Sequence, residues 1–127
     1  FKYEDEGVAT LEDGLYVLEE NLKDAAFKDK MVRFVRASMK GWKYAEQNPA
    51  EAAEIVVDND DSGAQTVEHN TTQMGEIIKL TAGSNGALDP ADYQRTVDSL
   101  MTGGSDPVIT KMPKGAWTHE ITDLALK

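Results

Sequence analysis

The sequence contains no cysteine, only two histidines, and no uncharged run longer than nine residues. The lack of cysteine excludes disulfide scaffolds, thiolate zinc sites and thiol nucleophiles together. The longest uncharged run, residues 80–88, is interrupted by Gly83 and Gly86 and is too short to span a bilayer. His69 and His119 lie fifty positions apart, so the His-x-x-x-His spacing of a helical zinc site is missing. The sequence therefore predicts no metal ligands, no cofactor and no membrane insertion.

Positive charge is also scarce, because 13 Lys and Arg face 23 Asp and Glu, for a net charge of -10. This acidic balance argues against binding to a phosphate backbone, which requires a net basic face, so we expect no nucleic-acid partner. The charge is uneven: residues 28–43 form one basic segment between two acidic ones. The length of 127 residues and an apolar content of 40% suit a single domain with a core.

The chain opens on Phe1 without an initiator Met and without an apolar leader. We therefore expect a processed or excised piece of a longer protein. In such a piece, the missing leader says nothing about whether the parent protein is secreted.

The local patterns predict a mostly helical chain with one or two β-strands. Residues 14–18 (GLYVL) are rich in strand-forming residues, and the neighbourhood of Tyr3 is a weaker second candidate. Helices are predicted over residues 27–47, from Asn48-Pro49 through about residue 57, over about 64–81, from Asp89-Pro90 to Gly103, and over about 118–126. A lone strand needs pairing partners, so this pattern implies a sheet completed by other polypeptide or by another copy.

Several segments resemble functional motifs but are better interpreted as structural features. Residues 58–63 (DNDDSG) begin like a calcium loop, but the twelfth position is His69 instead of the bidentate Glu, so we expect a solvated turn. The triplet Asn70-Thr71-Thr72 matches a glycosylation site but lies inside a predicted helix. The basic face of residues 28–43 is typical of a packed surface helix.

Acidic residues cluster at the front of the chain, where Glu4, Asp5 and Glu6 precede Gly7 and where Glu12 and Asp13 precede the predicted strand. Loops at strand ends often carry ligand groups. A paired-carboxylate acid–base role stays open here, because nothing in the sequence fixes the separation of these groups.

Four sequence blocks, taken in their order along the chain, resemble a known protein family. They are residues 12–17 (EDGLYV), 32–45 (VRFVRASMKGWKYA), 48–53 (NPAEAA) and 88–98 (LDPADYQRTVD). Together they strongly resemble the C-terminal third of periplasmic solute-binding proteins of ABC importers, in the group that includes thiamine-pyrimidine-precursor, nitrate and taurine binders. The resemblance covers about residues 3 to 122.

The resemblance implies a segment of an α/β class II periplasmic binding protein, whose two lobes hold the ligand in a cleft. Residues 1–13 would be the segment that crosses between the lobes, and residues 14–127 the C-terminal part of the first lobe, with one strand and about six helices. The crossing segment borders the cleft in this family, so Tyr3, Asp5, Glu6, Glu12 and Asp13 are the expected ligand or hinge contacts. Carboxylates there suit N–H donors of a heterocycle or an amine and would repel a sulfonate or nitrate.

The implied function is that of a non-enzymatic, periplasmic or extracytoplasmic receptor. It would capture a small polar solute, such as a pyrimidine-like heterocycle, and deliver it to ABC permease subunits. Two alternatives remain open: a pyrimidine-precursor synthase-like enzyme of the same fold, and a free-standing helical module. We also expect the chain to self-associate, because its apolar faces lack their normal cover.

Overall fold

A computed structural model describes residues 3–127 of the chain as a helical protein. Its α-helices are α1 (Ala25–Gln47), α2 (Pro49–Asp58), α3 (Val67–Thr81), α4 (Pro90–Thr102) and α5 (Thr122–Ala125). Two short 3₁₀ helices, Tyr3–Glu6 and Glu19–Lys23, precede α1. Among the described residues, no helix combines the length and the apolar character of a membrane span.

The predicted strands are wrong, because no strand occurs among residues 3–127. Residues 14–18 run without regular structure, and the backbone around Tyr3 forms a 3₁₀ turn. The physical reason is that strand propensity becomes a strand only beside a partner strand, and no segment within the described residues supplies one. The fold is therefore helical, and the expected mixture of helices with one or two strands is corrected to helices alone.

Most helix predictions are confirmed by the capping residues. The Oδ1 of Asp24 accepts hydrogen bonds from the amides of Ala26 and Phe27, at 2.7 and 3.2 Å, and starts α1. The Oδ1 of Asp89 accepts from the Ala91 amide at 2.7 Å ahead of α4, where proline occupies the first turn as expected. Asn48 stands at the start of α2, but its side chain donates to the Tyr44 carbonyl instead of capping α2.

The last helix is shorter than predicted. Only Thr122–Ala125 is helical, because residues 115–119 remain irregular and the two residues before α5 form a turn. The α3 helix likewise begins at Val67, after the Thr66 hydroxyl has accepted a hydrogen bond from the His69 amide. Single-turn helices depend on packing for their stability, which the residue pattern alone does not reveal.

The core is small and consists of short side chains. The buried apolar residues are Val35, Ala52, Ala53, Val97 and Ala125. The closest helix packing joins α2 to α3, and α1 packs against α2, α3, α5 and the Glu19–Lys23 turn. Two segments outside the helices form hydrogen bonds with α4. The Leu11 amide donates to Thr96 Oγ1 at 2.8 Å, and the Ile109 amide donates to the Leu100 carbonyl at 3.3 Å.

The chain keeps far more surface in contact with water than its mass requires. Its accessible surface is 9882 Å², whereas a self-contained protein of 13.9 kDa exposes roughly 6,700 Å². The expectation that 127 residues form an ordinary buried core is therefore wrong. The division into a crossing segment, residues 1–13, and a lobe, residues 14–127, stays a prediction, and residues 1 and 2 lie outside the described range.

Candidate functional site

The five predicted ligand or hinge residues all lie near the N-terminus and all face solvent. Tyr3, Asp5 and Glu6 belong to the first 3₁₀ turn, which the Val8 amide closes by donating to the Tyr3 carbonyl at 2.9 Å. Gly7 follows with a φ of 79°, a left-handed conformation that favours glycine. Glu12 and Asp13 lie farther along, in the irregular segment. All five are exposed, so the structure does not enclose them around a ligand.

Two clefts are formed elsewhere. A groove of about 310 Å³ lies between α1 and α3, and a shallower cleft of about 430 Å³ lies beside α5. The groove is lined mainly by apolar side chains, among them Met39, Trp42, Met74, Ile77 and Ile78. None of the five predicted residues lines either cleft.

The sequence does not predict this groove as a site. Trp42, Met74 and Ile77 occupy apolar positions of the predicted helices, a pattern that indicates core positions. The loop after α3 closes one end of the groove, where the Met39 side chain lies against Gly86. Gly86 has a φ of 84°, and a Cβ at this position would collide with the Met39 sulfur. The groove forms only where α1 packs beside this loop, so the residue pattern does not reveal it.

The DNDDSG segment forms a self-contained turn between α2 and α3. The Asp60 Oδ1 accepts from the Ser62 amide at 2.9 Å and from the Ser62 hydroxyl at 2.5 Å, and Oδ2 accepts from the Gln65 amide at 2.7 Å. The Ser62 hydroxyl, followed by the Gln65 amide, lowers the pKa of the Asp60 carboxyl below its usual value. This carboxylate therefore stabilises the turn ahead of α3.

Asn70, the first residue of the glycosylation triplet, is buried on α3. Its Nδ2 donates to Gln65 Oε1 and to the Thr66 carbonyl, each at 3.0 Å. The side chain is therefore occupied in tying α3 to the preceding turn, which supports a structural role and not a modification site.

His119 also has a structural position. Its Nε2 lies 2.8 Å from the Leu88 carbonyl oxygen, which requires the proton to be on Nε2. The ring lies beside Trp117, with centroids 4.8 Å apart, and Trp117 in turn meets Tyr93 edge-on at 6.2 Å. These contacts fasten the C-terminal segment to the start of α4.

No cluster of three or more His, Asp or Glu side chains suited to a metal ion is found in the part of the chain that the structure describes. What the described surface does offer is apolar side chains in contact with water. The most exposed are Tyr16 at 84%, Leu80 at 76% and Val108 at 75%. Surface of this kind is suited to binding another polypeptide.

Comparison with known proteins identifies no relative of this chain. No family model, curated protein or solved structure matches the chain.

Proposed function

We propose that this chain is a helical part of the solute-binding component of an ABC-type importer. In this role it is not an enzyme: it helps to capture a small polar solute, such as a pyrimidine-like heterocycle, for delivery to permease subunits. The corresponding location is periplasmic or extracytoplasmic. The proposal rests on the four sequence blocks that resemble such receptors and on the surface that the chain leaves open.

Three of the four blocks coincide with well-formed helices. Residues 32–45 lie within α1, residues 48–53 span the start of α2, and residues 88–98 span the start of α4. The two Asn/Asp-Pro pairs both stand at helix starts with proline in the first turn, and of the two only Asp89 caps its helix through its side chain. The remaining block, residues 12–17, lies exposed outside any helix.

The observation that carries the proposal is the excess of accessible surface. The 9882 Å² of the chain exceeds the expectation for its mass by roughly 3,000 Å². A standard protein–protein interface buries about 1,600 Å² in total, so this excess is large enough to accommodate extensive contact with further polypeptide. A receptor part that is covered by the remainder of its protein has such a surface.

Within this proposal, Tyr3, Asp5, Glu6, Glu12 and Asp13 are the ligand or hinge contacts. Their exposure leaves the carboxylates available to accept hydrogen bonds from N–H donors of a heterocycle. Enclosure of the solute would then come from the additional polypeptide, since a small-molecule site normally buries most of its ligand.

The gene tests the proposal directly. We expect the open reading frame to continue upstream of the codon for Phe1 through at least one further domain and a secretory leader. A start codon immediately before the Phe1 codon would contradict the proposal.

A second candidate function is a free-standing helical module that self-associates. The observation that favours it is the pair of exposed apolar surfaces on residues 15–18 and on α1, which carries Phe34 at 51% exposure. Under this alternative the open surface is covered by another copy of the chain.

A further inference from the structure

The segment at residues 12–20, here named the acidic segment, is both apolar and negatively charged. Leu15, Tyr16, Val17 and Leu18 are exposed, and they are flanked by Glu12, Asp13, Glu19 and Glu20. None of these four carboxylates has an ion pair within residues 3–127. The Leu11 amide, just before the segment, donates to Thr96 Oγ1, and the Leu18 carbonyl accepts from the Asn21 amide where the 3₁₀ helix Glu19–Lys23 begins.

The charges of the acidic segment exclude pairing with the same segment of another copy. An antiparallel pair centred on Tyr16 would set Glu12 opposite Glu20 and Asp13 opposite Glu19. A parallel pair in register would set each carboxylate against its own counterpart. Like charges directly opposite each other are destabilising, so a basic surface suits this segment better than a second copy of the segment does.

One surface of the same chain has the required chemistry. Seven residues of α1, spaced by three or four positions, lie on a single side of the helix and are all exposed; we name this side the open face of α1. Its members are Lys30, Arg33, Phe34, Ala37, Lys40, Gly41 and Tyr44.

The open face of α1 combines apolar area with positive charge that is only partly paired. Neither Lys30 nor Lys40 has an ion pair within the described residues. Arg33 pairs only with Asp29 of its own helix, at 3.0 Å, and exposed pairs of this kind contribute little. Gly41 has open space where a side chain would point, so a partner's side chain can approach the helix backbone there.

The two surfaces also match in length. Residues 12–18, which lie outside any helix, span about 23 Å when extended, and the open face of α1, from Lys30 to Tyr44, spans about 21 Å. Within one molecule the residue just before the acidic segment is tied to α4 through the Leu11 amide and Thr96 Oγ1, and the 3₁₀ helix that contains Glu19 and Glu20 packs against α1.

We propose that the acidic segment of one copy binds the open face of α1 in a second copy, with Leu15–Leu18 side chains against Phe34 and Gly41 and carboxylates against the three cations. This inference concerns the 127-residue chain itself and does not rest on the importer function. Because the charges lie at a solvated surface, salt weakens their attraction. The association is therefore stronger at 50 mM than at 500 mM NaCl.

The test is a charge exchange followed by sedimentation equilibrium at low salt. We expect Lys30→Glu/Arg33→Glu/Lys40→Glu to weaken association about tenfold or more, because three attractions become repulsions. The variant Glu12→Lys/Asp13→Lys/Glu19→Lys has the same effect from the other side. The two variants associate with each other when they are mixed, because the open face of α1 is acidic in the first variant and the segment at residues 12–20 is basic in the second.

The matched control is Lys111→Glu/Lys114→Glu/Lys127→Glu, which changes the net charge by the same amount at exposed positions outside both surfaces. It retains the wild-type association constant, and circular dichroism shows that every variant keeps its helices. A wild-type monomer at all concentrations would overturn the proposal. So would weakening by the control equal to that of the α1 variant, or a mixture of the two exchanged variants that fails to associate.

Discussion

At the scale of single residues, short polar side chains fix where the helices begin. Asp24 and Asp89 each accept a hydrogen bond from a backbone amide of the first turn that has no partner within the helix. The Asp60 carboxylate likewise accepts hydrogen bonds, from the Ser62 hydroxyl and the Gln65 amide, in the turn between α2 and α3. These features are local in sequence, which is why the start of α4 and the turn between α2 and α3 are predictable from residue types alone.

Replacement of Asp24 by alanine is expected to destabilise the chain by about 0.5–2 kcal/mol, because α1 loses the acceptor for two of its first amides. Urea denaturation followed by circular dichroism measures the effect. Asp61→Ala, at an exposed position in the turn, is the matched control and leaves the unfolding midpoint nearly unchanged. Equal midpoints for the two variants would contradict a capping role for Asp24.

The lowered pKa of Asp60 gives a pH dependence with a definite sign. A carboxyl whose pKa is lower in the folded state stabilises the fold above its unfolded pKa of 3.8 and loses this contribution as the pH falls through the folded pKa. Asp60→Asn is therefore expected to lower the melting temperature at pH 7, and the difference from wild type shrinks as the solution is acidified below pH 3.8. A melting-temperature difference that is constant from neutral to acid pH would exclude this role.

At the scale of elements, the helices can be predicted from the sequence, whereas strands and the groove between helices cannot. A helix satisfies its own backbone, so the pattern over residues 27–47 correctly predicts α1 without knowledge of its neighbours. A strand obtains its hydrogen bonds from another segment, so the strand-forming residues at 14–18 predict a strand that the described chain does not form. The groove between α1 and α3 escapes prediction for the same reason, since it arises from packing between distant segments.

Among the described helices, α2 and α3 pack most closely, and Ala53 is the most buried residue of α2, with 0% of its surface exposed. Ala53→Leu is expected to destabilise the chain by about 1–3 kcal/mol, because the added atoms have no room. Ala50→Leu, on the exposed side of the same helix, adds the same side chain without this strain. Thermal melts of the pair check the prediction, and equal losses would show that the interface tolerates the extra volume.

At the scale of the whole molecule, the chain has well-formed helices around a core of small side chains. Alanine and valine bury little area each, so the core provides limited hydrophobic stabilisation. The larger apolar side chains, among them Leu15, Tyr16 and Phe34, remain exposed. The charge is unevenly distributed, because the basic residues 28–43 of α1 lie between the acidic residues 1–27 and 44–127. The acidic segment and the open face of α1 therefore have opposite signs.

The same openness predicts weak binding of small molecules by the chain alone. Neither cleft contains the five proposed ligand or hinge residues, and an exposed residue set cannot bury most of a solute. Calorimetric titration with an aminopyrimidine is expected to give no heat of binding at micromolar concentrations. Binding at micromolar affinity, abolished by Asp5→Asn/Glu12→Gln but not by Asp106→Asn, would show that the chain forms a complete site unaided.

If the exposed surface of this chain requires cover from other polypeptide, the purified 127-residue chain associates with itself in sedimentation equilibrium. We expect a weight-average mass that rises above 13.9 kDa as the concentration increases and that falls back towards it when salt is raised. A single species of 13.9 kDa at every concentration and at low salt would show that the chain needs no such cover.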